Sequence, residues 1–123
     1  MPKLILIVED DPKSMTLARD LLQVSGYATI EAADGKQGVK LAKERKPDLI
    51  LMDILMPEMD GYAACHAIKT DEATSEIPVI LLTALDYELN EELARRLRAD
   101  RYLTKPISRQ ELLDVINQFL PTS

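Results

Sequence analysis

The chain has 123 residues, 46% of them apolar, which suits one compact domain with a real core and excludes a disordered tail. Fifteen lysines and arginines against 21 acids leave a net charge of −6 with no basic stripe, which argues against direct nucleic-acid binding. The single Cys65 can form no disulfide within the chain, no Cys/His cluster has zinc spacing, and no apolar run approaches the roughly 20 residues of a membrane helix, so a reducing, cytoplasmic setting is expected.

Leu4–Val8 is a short, continuous apolar run, the pattern of a strand buried on both faces. Its acidic end, Glu9-Asp10-Asp11, is wrong for a signal peptide. Asp11-Pro12 then opens a helix, with Asp11 as N-cap and Pro12 at the first helical position. Met15, Ala18, Leu21 and Leu22 recur on one face of it, and Gly26 stops it. Tyr27 leads into a second strand, Ala28–Ile30. Asp34-Gly35-Lys36-Gln37 has the form of a capping box, and the helix it opens closes on Lys43, Arg45 and Lys46 before Pro47. Leu49–Met52 is the third strand. Asp60-Gly61 is turn and cap chemistry before a third helix running to about Lys69. Val79–Leu82 predicts a fourth strand, Tyr87 to Leu97 a fourth helix, and Tyr102–Leu103 a fifth strand. Ser108-Arg109-Gln110-Glu111 is another capping box, opening the last helix through Leu120.

Five strand–helix repeats predict an α/β domain over residues 1–123, with a parallel sheet between two layers of helices. Right-handed crossovers leave few arrangements, and the common small one is the flavodoxin-like three-layer sandwich with strand order 2-1-3-4-5. In such sheets ligands bind beyond the carboxyl ends of the strands, at the switch point between strands 1 and 3. Glu9, Asp10 and Asp11 follow strand 1, Asp53 follows strand 3, Thr83 and Ala84 follow strand 4, and Thr104, Lys105 and Pro106 follow strand 5. Several carboxylates, one hydroxyl and one ammonium would therefore share a pocket. Packed carboxylates demand protons or a cation, and hard oxygen ligands call for Mg²⁺. With Lys105 as a point charge and Thr83 as a donor, these parts suit phosphoryl transfer, and Asp53 could take the group as an aspartyl-phosphate.

From Lys3 to Leu120 the sequence resembles the receiver domain of two-component response regulators, of the single-domain chemotaxis and cell-cycle type. The matching pieces are Leu6 to Asp11, Pro47 to Asp53, Met56 to Gly61, Pro78 to Ala84 and Tyr102 to Pro106. The resemblance implies that Asp53 accepts phosphate from a phosphohistidine of a sensor kinase or histidine phosphotransfer protein. It implies a metal, Mg²⁺ or Mn²⁺, held by Asp10 and Asp53, by the backbone carbonyl of Leu55, and by Glu9 through water. Thr83 would be the switch hydroxyl, Tyr102 its aromatic partner and Lys105 the phosphate-binding lysine, with a Lys105–Pro106 bond that is often cis in the family. Output would pass to a partner protein through the face formed by the fourth helix, strand 5 and the last helix. The protein would be a monomer or a phosphorylation-dependent dimer, with Glu92, Asp100 and Arg101 as candidate contact charges. It would be a signalling protein and not an enzyme.

Two departures from the family pattern stand out. Arg98 occupies a usual glycine position, where a left-handed backbone costs arginine sterically. Leu55, two residues after Asp53, lacks the polarity that would orient a hydrolytic water, so slow self-dephosphorylation is expected. The expectation is a stand-alone receiver with no output domain, with the receiver of a longer regulator as the alternative. The rival reading is a degenerate receiver that binds partners without phosphate. An aspartyl-phosphate phosphohydrolase of the haloacid-dehalogenase type would need an acid at Leu55. Asp11 and Asp34 are simplest as helix caps, and Cys65, His66, Met52, Met56 and Met59 as structural or surface residues.

Overall fold

The computed structural model describes residues 2–54, 61–83, 95 and 98–121. The strands are β1 (Leu4–Val8), β2 (Ala28–Ala32), β3 (Leu49–Asp53), β4 (Val79–Thr83) and β5 (Arg101–Thr104). The described helices are α1 (Pro12–Val24), α2 (Gly35–Arg45), α3 (Gly61–Thr70) and α4 (Arg109–Phe119). Apart from Arg95, the expected helix over 87–97 lies outside the described residues, so α4 is the helix opened by Ser108. All neighbouring strands pair in parallel, in the order β2-β1-β3-β4-β5.

Alternation across the buried strands sorts their side chains into two cores. Ile5, Ile7, Leu49, Leu51, Ile80 and Leu82 face α1 and α4, where Met15, Leu22, Leu112, Val115 and Ile116 meet them. Leu6, Val8, Ile50, Met52, Val79 and Leu81 face the other way, against Ala42 of α2 and Ala64, Cys65 and Ile68 of α3. This is the three-layer sandwich that the continuous apolar runs predict.

The helix ends follow the local chemistry. Asp11 caps α1 by accepting from the Ser14 backbone N–H, and Gly26 follows that helix at φ 97°. Asp34 accepts from the Gln37 N–H at 2.8 Å, while the Gln37 side chain reaches back to the Ala33 N–H, one residue earlier than in a standard capping box. Ser108 caps α4 through the Glu111 N–H. The Lys105–Pro106 bond is cis.

Arg98 does adopt the left-handed conformation, at φ 61°, with its N–H bonded to the Arg95 carbonyl. Glycine removes a steric cost of about 1–2 kcal/mol there and gives back part of it as unfolded-chain entropy. Arg98→Gly is therefore expected to stabilise the protein by about 0.5–1 kcal/mol, read as a higher urea midpoint at unchanged slope.

A link with no local signature in the sequence joins α3 to the amino-terminal edge of the sheet. Lys69 is buried, and its Nζ donates to Asp100 Oδ2 at 3.0 Å and to the Ile77 carbonyl at 2.9 Å. Asp100 Oδ2 also accepts from the Val79 N–H at 2.8 Å. Asp100, named above as a candidate contact charge, thus has its carboxylate engaged within the chain.

Candidate functional site

Parallel pairing brings all five strands to the same carboxyl edge, and there the chain turns polar. The register aligns Val8 of β1 with Met52 of β3, so Glu9 follows directly beside Asp53. Thr83 closes β4 opposite Thr104 of β5, one residue before Lys105. Four segments far apart in sequence therefore deliver Glu9, Asp10, Asp53, Thr83 and Lys105 to one locality.

Carboxylate oxygens of Glu9, Asp10 and Asp53 all lie within 4.8 Å of one another. Glu9, Asp53 and Thr83 are buried, and Asp10 is exposed. Lys105 Nζ bridges the two buried acids, donating to Glu9 Oε1 at 2.7 Å and to Asp53 Oδ2 at 3.3 Å. Lys105 is expected at this edge from its place after β5, but its pairing with both acids is not legible in the sequence. Burial pushes the Glu9 carboxyl up to about 7; the adjoining Asp53 acts the same way, and Lys105 pulls against both. Burial on its own would lower the Lys105 ammonium, but its hydrogen bond to Glu9 and the charges of Asp53 and Glu9 outweigh that and hold it above its usual value.

Glu9 Oε2 is buried with no hydrogen-bond partner among the described residues. An orphaned buried carboxylate oxygen beside two further carboxylates is a donor set that fits a hard divalent cation. Asp11 is different: its Oδ2 accepts from both the hydroxyl and the N–H of Ser14, which hold its carboxyl below the ordinary range, as a helix cap should be. Leu55, Met56, Met59, Asp60, Ala84 and Glu92 lie outside the described residues. Tyr102 is half-buried on β5, paired with Leu81 of β4, two residues before Thr83. Cys65 is fully buried and burial pushes its thiol up to about 12, so it is an inert core residue, whereas His66 is exposed on α3.

One residue at this edge does more than turn the chain. Gly61 opens α3 with its N–H bonded to the Ile54 carbonyl at 2.8 Å. A Cβ at Gly61 would run into the Asp53 carbonyl oxygen and stand 2.6 Å from Ile54 Cα.

The response regulator receiver domain model matches residues 5–117. The polar-differentiation response regulator DivK of Brucella anthropi is 42% identical over 120 residues, covering 98% of both chains. Among solved structures, the receiver domain of a sensor histidine kinase from Pseudomonas aeruginosa, described with a magnesium ion coordinated in its active-site cleft, superposes with a TM-score of 0.90 at 34% identity, covering 99% of this chain and all of that one. The signal receiver domain of a signal transduction histidine kinase from Syntrophus aciditrophicus gives 0.88 at 36% identity, covering 98% of this chain and 95% of that one. No described helix is long and apolar enough to cross a membrane. An acidic edge closed by a lysine, on this sheet order and with relatives that span nearly its whole length, has one reading: the chain belongs to the response regulator receiver domains of two-component signalling, whose general function is to accept a phosphoryl group.

Proposed function

We propose that Asp53 is the phosphoryl acceptor of a receiver domain spanning residues 1–123. The observation that carries this reading is Lys105 bridging Glu9 and Asp53 beside the exposed Asp10. The donor is a phosphohistidine of a sensor kinase or a phosphotransfer protein. A carboxylate oxygen of Asp53 forms a bond to phosphorus as the phosphorus–nitrogen bond breaks, and the imidazole leaves with the electron pair. Lys105 exchanges part of its pairing with the two acids for a phosphoryl oxygen, and Thr83 offers its hydroxyl to another. Asp10 and Asp53 would hold a divalent cation directly, with Glu9 acting through water and Leu55 through its carbonyl. Mg²⁺, or Mn²⁺ in its place, supplies the positive charge that offsets the carboxylates and the incoming phosphoryl oxygens.

Thr83 and Tyr102 form the switch, on the neighbouring strands β4 and β5. Their movement alters the face made by β5 and α4, which a cytoplasmic partner protein reads without nucleic acid or membrane contact. The protein works as a monomer or a phosphorylation-dependent dimer, and its part in chemistry is confined to its own phosphorylation and dephosphorylation.

The test is intact mass after incubation with acetyl phosphate and Mg²⁺. A gain of one phosphoryl group is expected, and it is lost in Asp53→Asn and in metal-free protein. No gain, together with no beryllofluoride complex, would instead support a degenerate receiver that only binds partners.

A further inference from the structure

The pairing of Lys69 with Asp100 lies away from the acidic edge, and no step of the phosphoryl chemistry uses it. The Lys69 side chain is 8% exposed and that of Asp100 29%. A buried ammonium is costly unless it is paired, and the best-attested role of such a pair is to fix one alignment of the chain over its neighbours. Asp100 stands directly before β5 and grips the first residue of β4 in both directions. Its N–H donates to the Val79 carbonyl at 2.9 Å, and its Oδ2 accepts from the Val79 N–H at 2.8 Å. The same oxygen takes Lys69 Nζ, whose other bond, to the Ile77 carbonyl, ties it to the turn before β4.

β5 needs such an anchor. It is an edge strand of 4 residues that pairs with β4 alone. Leu103 is buried, Tyr102 is half-buried, and Arg101 and Thr104 are exposed. A slip of one residue would turn Leu103 to the wrong face, which burial resists. A slip of two residues keeps Leu103 on its face, and the apolar pattern of β5 gives little against it. That slip would carry Lys105 about 7 Å along the sheet. Its Nζ would lose Glu9 and Asp53, from which it stands 2.7 Å and 3.3 Å. Its N–H would lose the Thr83 carbonyl, which it meets at 2.6 Å.

We propose that Asp100, oriented by Lys69, is a positioning residue that fixes where β5 starts against β4 and thereby delivers Lys105 to Asp53. Its link to phosphorylation rests on Asp53 being the acceptor; the alignment of β5 does not. Two measurements on the full chain test it. The first is amide hydrogen exchange, read as protection at Lys105 relative to Leu6 of β1 and Leu51 of β3. Asp100→Ala is expected to lower that ratio at least roughly tenfold. The second is the rate of phosphorylation by acetyl phosphate per folded protein. It is expected to fall at least about tenfold, because a misplaced group transfers its charge poorly to the reacting atoms. Asp100→Asn keeps an oxygen for the Val79 N–H and Lys69, and should recover most of both. Thr74→Val removes a buried hydroxyl that donates to the Ile68 carbonyl at 2.7 Å, near the same turn. It should lower stability without moving the ratio. If Asp100→Ala does not fold, Lys69→Met takes its place with the same direction expected. An unchanged ratio, an unchanged rate beside a lowered ratio, an Asp100→Asn variant no better than Asp100→Ala, or an equal fall in Thr74→Val would each overturn the proposal. A wild-type chain that takes no phosphate would instead overturn Asp53 as the acceptor, and the exchange ratio would still decide whether Asp100 aligns β5.

Discussion

Lys105→Met is expected to weaken the metal-free fold by about 1–3 kcal/mol near pH 8, and by less than half of that near pH 5.5. The wild-type Glu9 carboxyl sits at about 7, against 4.5 for an unperturbed one. A carboxyl raised in this way supports folding fully below about 4.5 and loses that support as pH rises through about 7. In the variant no ammonium offsets Glu9 and Asp53, so Glu9 keeps its proton to higher pH, and holding that proton in alkaline buffer costs free energy. Near pH 5.5 Glu9 is already protonated, and the missing cation matters less. Breaking a fully buried pair costs about 3–5 kcal/mol, but the Lys105 side chain is 29% exposed, which places the effect lower. Urea unfolding in EDTA at the two pH values measures it. Mg²⁺ at about 100 times its dissociation constant adds about 2.7 kcal/mol to any fold that binds it, so it should restore much of the variant's stability. It should not restore phosphorylation, expected to be about 10²-fold slower without the charge that meets the phosphoryl oxygen. A variant as stable as the wild type in EDTA near pH 8 would mean that Lys105 does not hold the two acids together.

The strands were legible because parallel strands are buried on both faces, and Ile5 to Val8 and Leu49 to Met52 are accordingly fully buried apolar runs. Once their order was fixed, the site followed from the residues immediately after each strand, since a parallel sheet sends every carboxyl end to one edge. Contacts that depend on side-chain reach were not legible. Lys69 reads as an ordinary cation at a helix C-terminus, and nothing local says that it is buried against Asp100, 31 residues later. Glu9 and Lys105 were each assigned to the site, but their mutual pairing depends on how deeply burial sets the acid. Gly61 is a third case: after Asp60 it reads as a turn glycine, and the sequence carries no sign of the backbone it touches.

That contact carries the other large effect. Gly61→Ala is expected to destabilise the protein by about 3 kcal/mol or more and to slow phosphorylation further than the loss of folded protein accounts for. The added Cβ would meet main-chain atoms, the Asp53 carbonyl oxygen and Ile54 Cα, neither of which can swing aside as a side chain can. Relief requires either lifting the start of α3, which breaks the Gly61 N–H bond to the Ile54 carbonyl, or displacing the end of β3 that carries Asp53. Gly38→Ala is the matched control. Its Cβ would stand 2.9 Å and 3.1 Å from the two γ-methyls of Val8, which are side-chain atoms, and alanine inside α2 recovers about 1 kcal/mol of helix propensity. Val8 is buried and stiff, so the overpacking cost of about 1–3 kcal/mol is only partly offset. The control should cost at most about 2 kcal/mol, less than Gly61→Ala, and leave phosphorylation unchanged. Urea midpoints for both variants, and phosphorylation rates at a temperature where both are folded, separate the two sites. Equal costs at Gly61 and Gly38 would show that the β3–α3 junction yields as readily as a methyl group, and that the backbone of Asp53 is not set by its contact with α3.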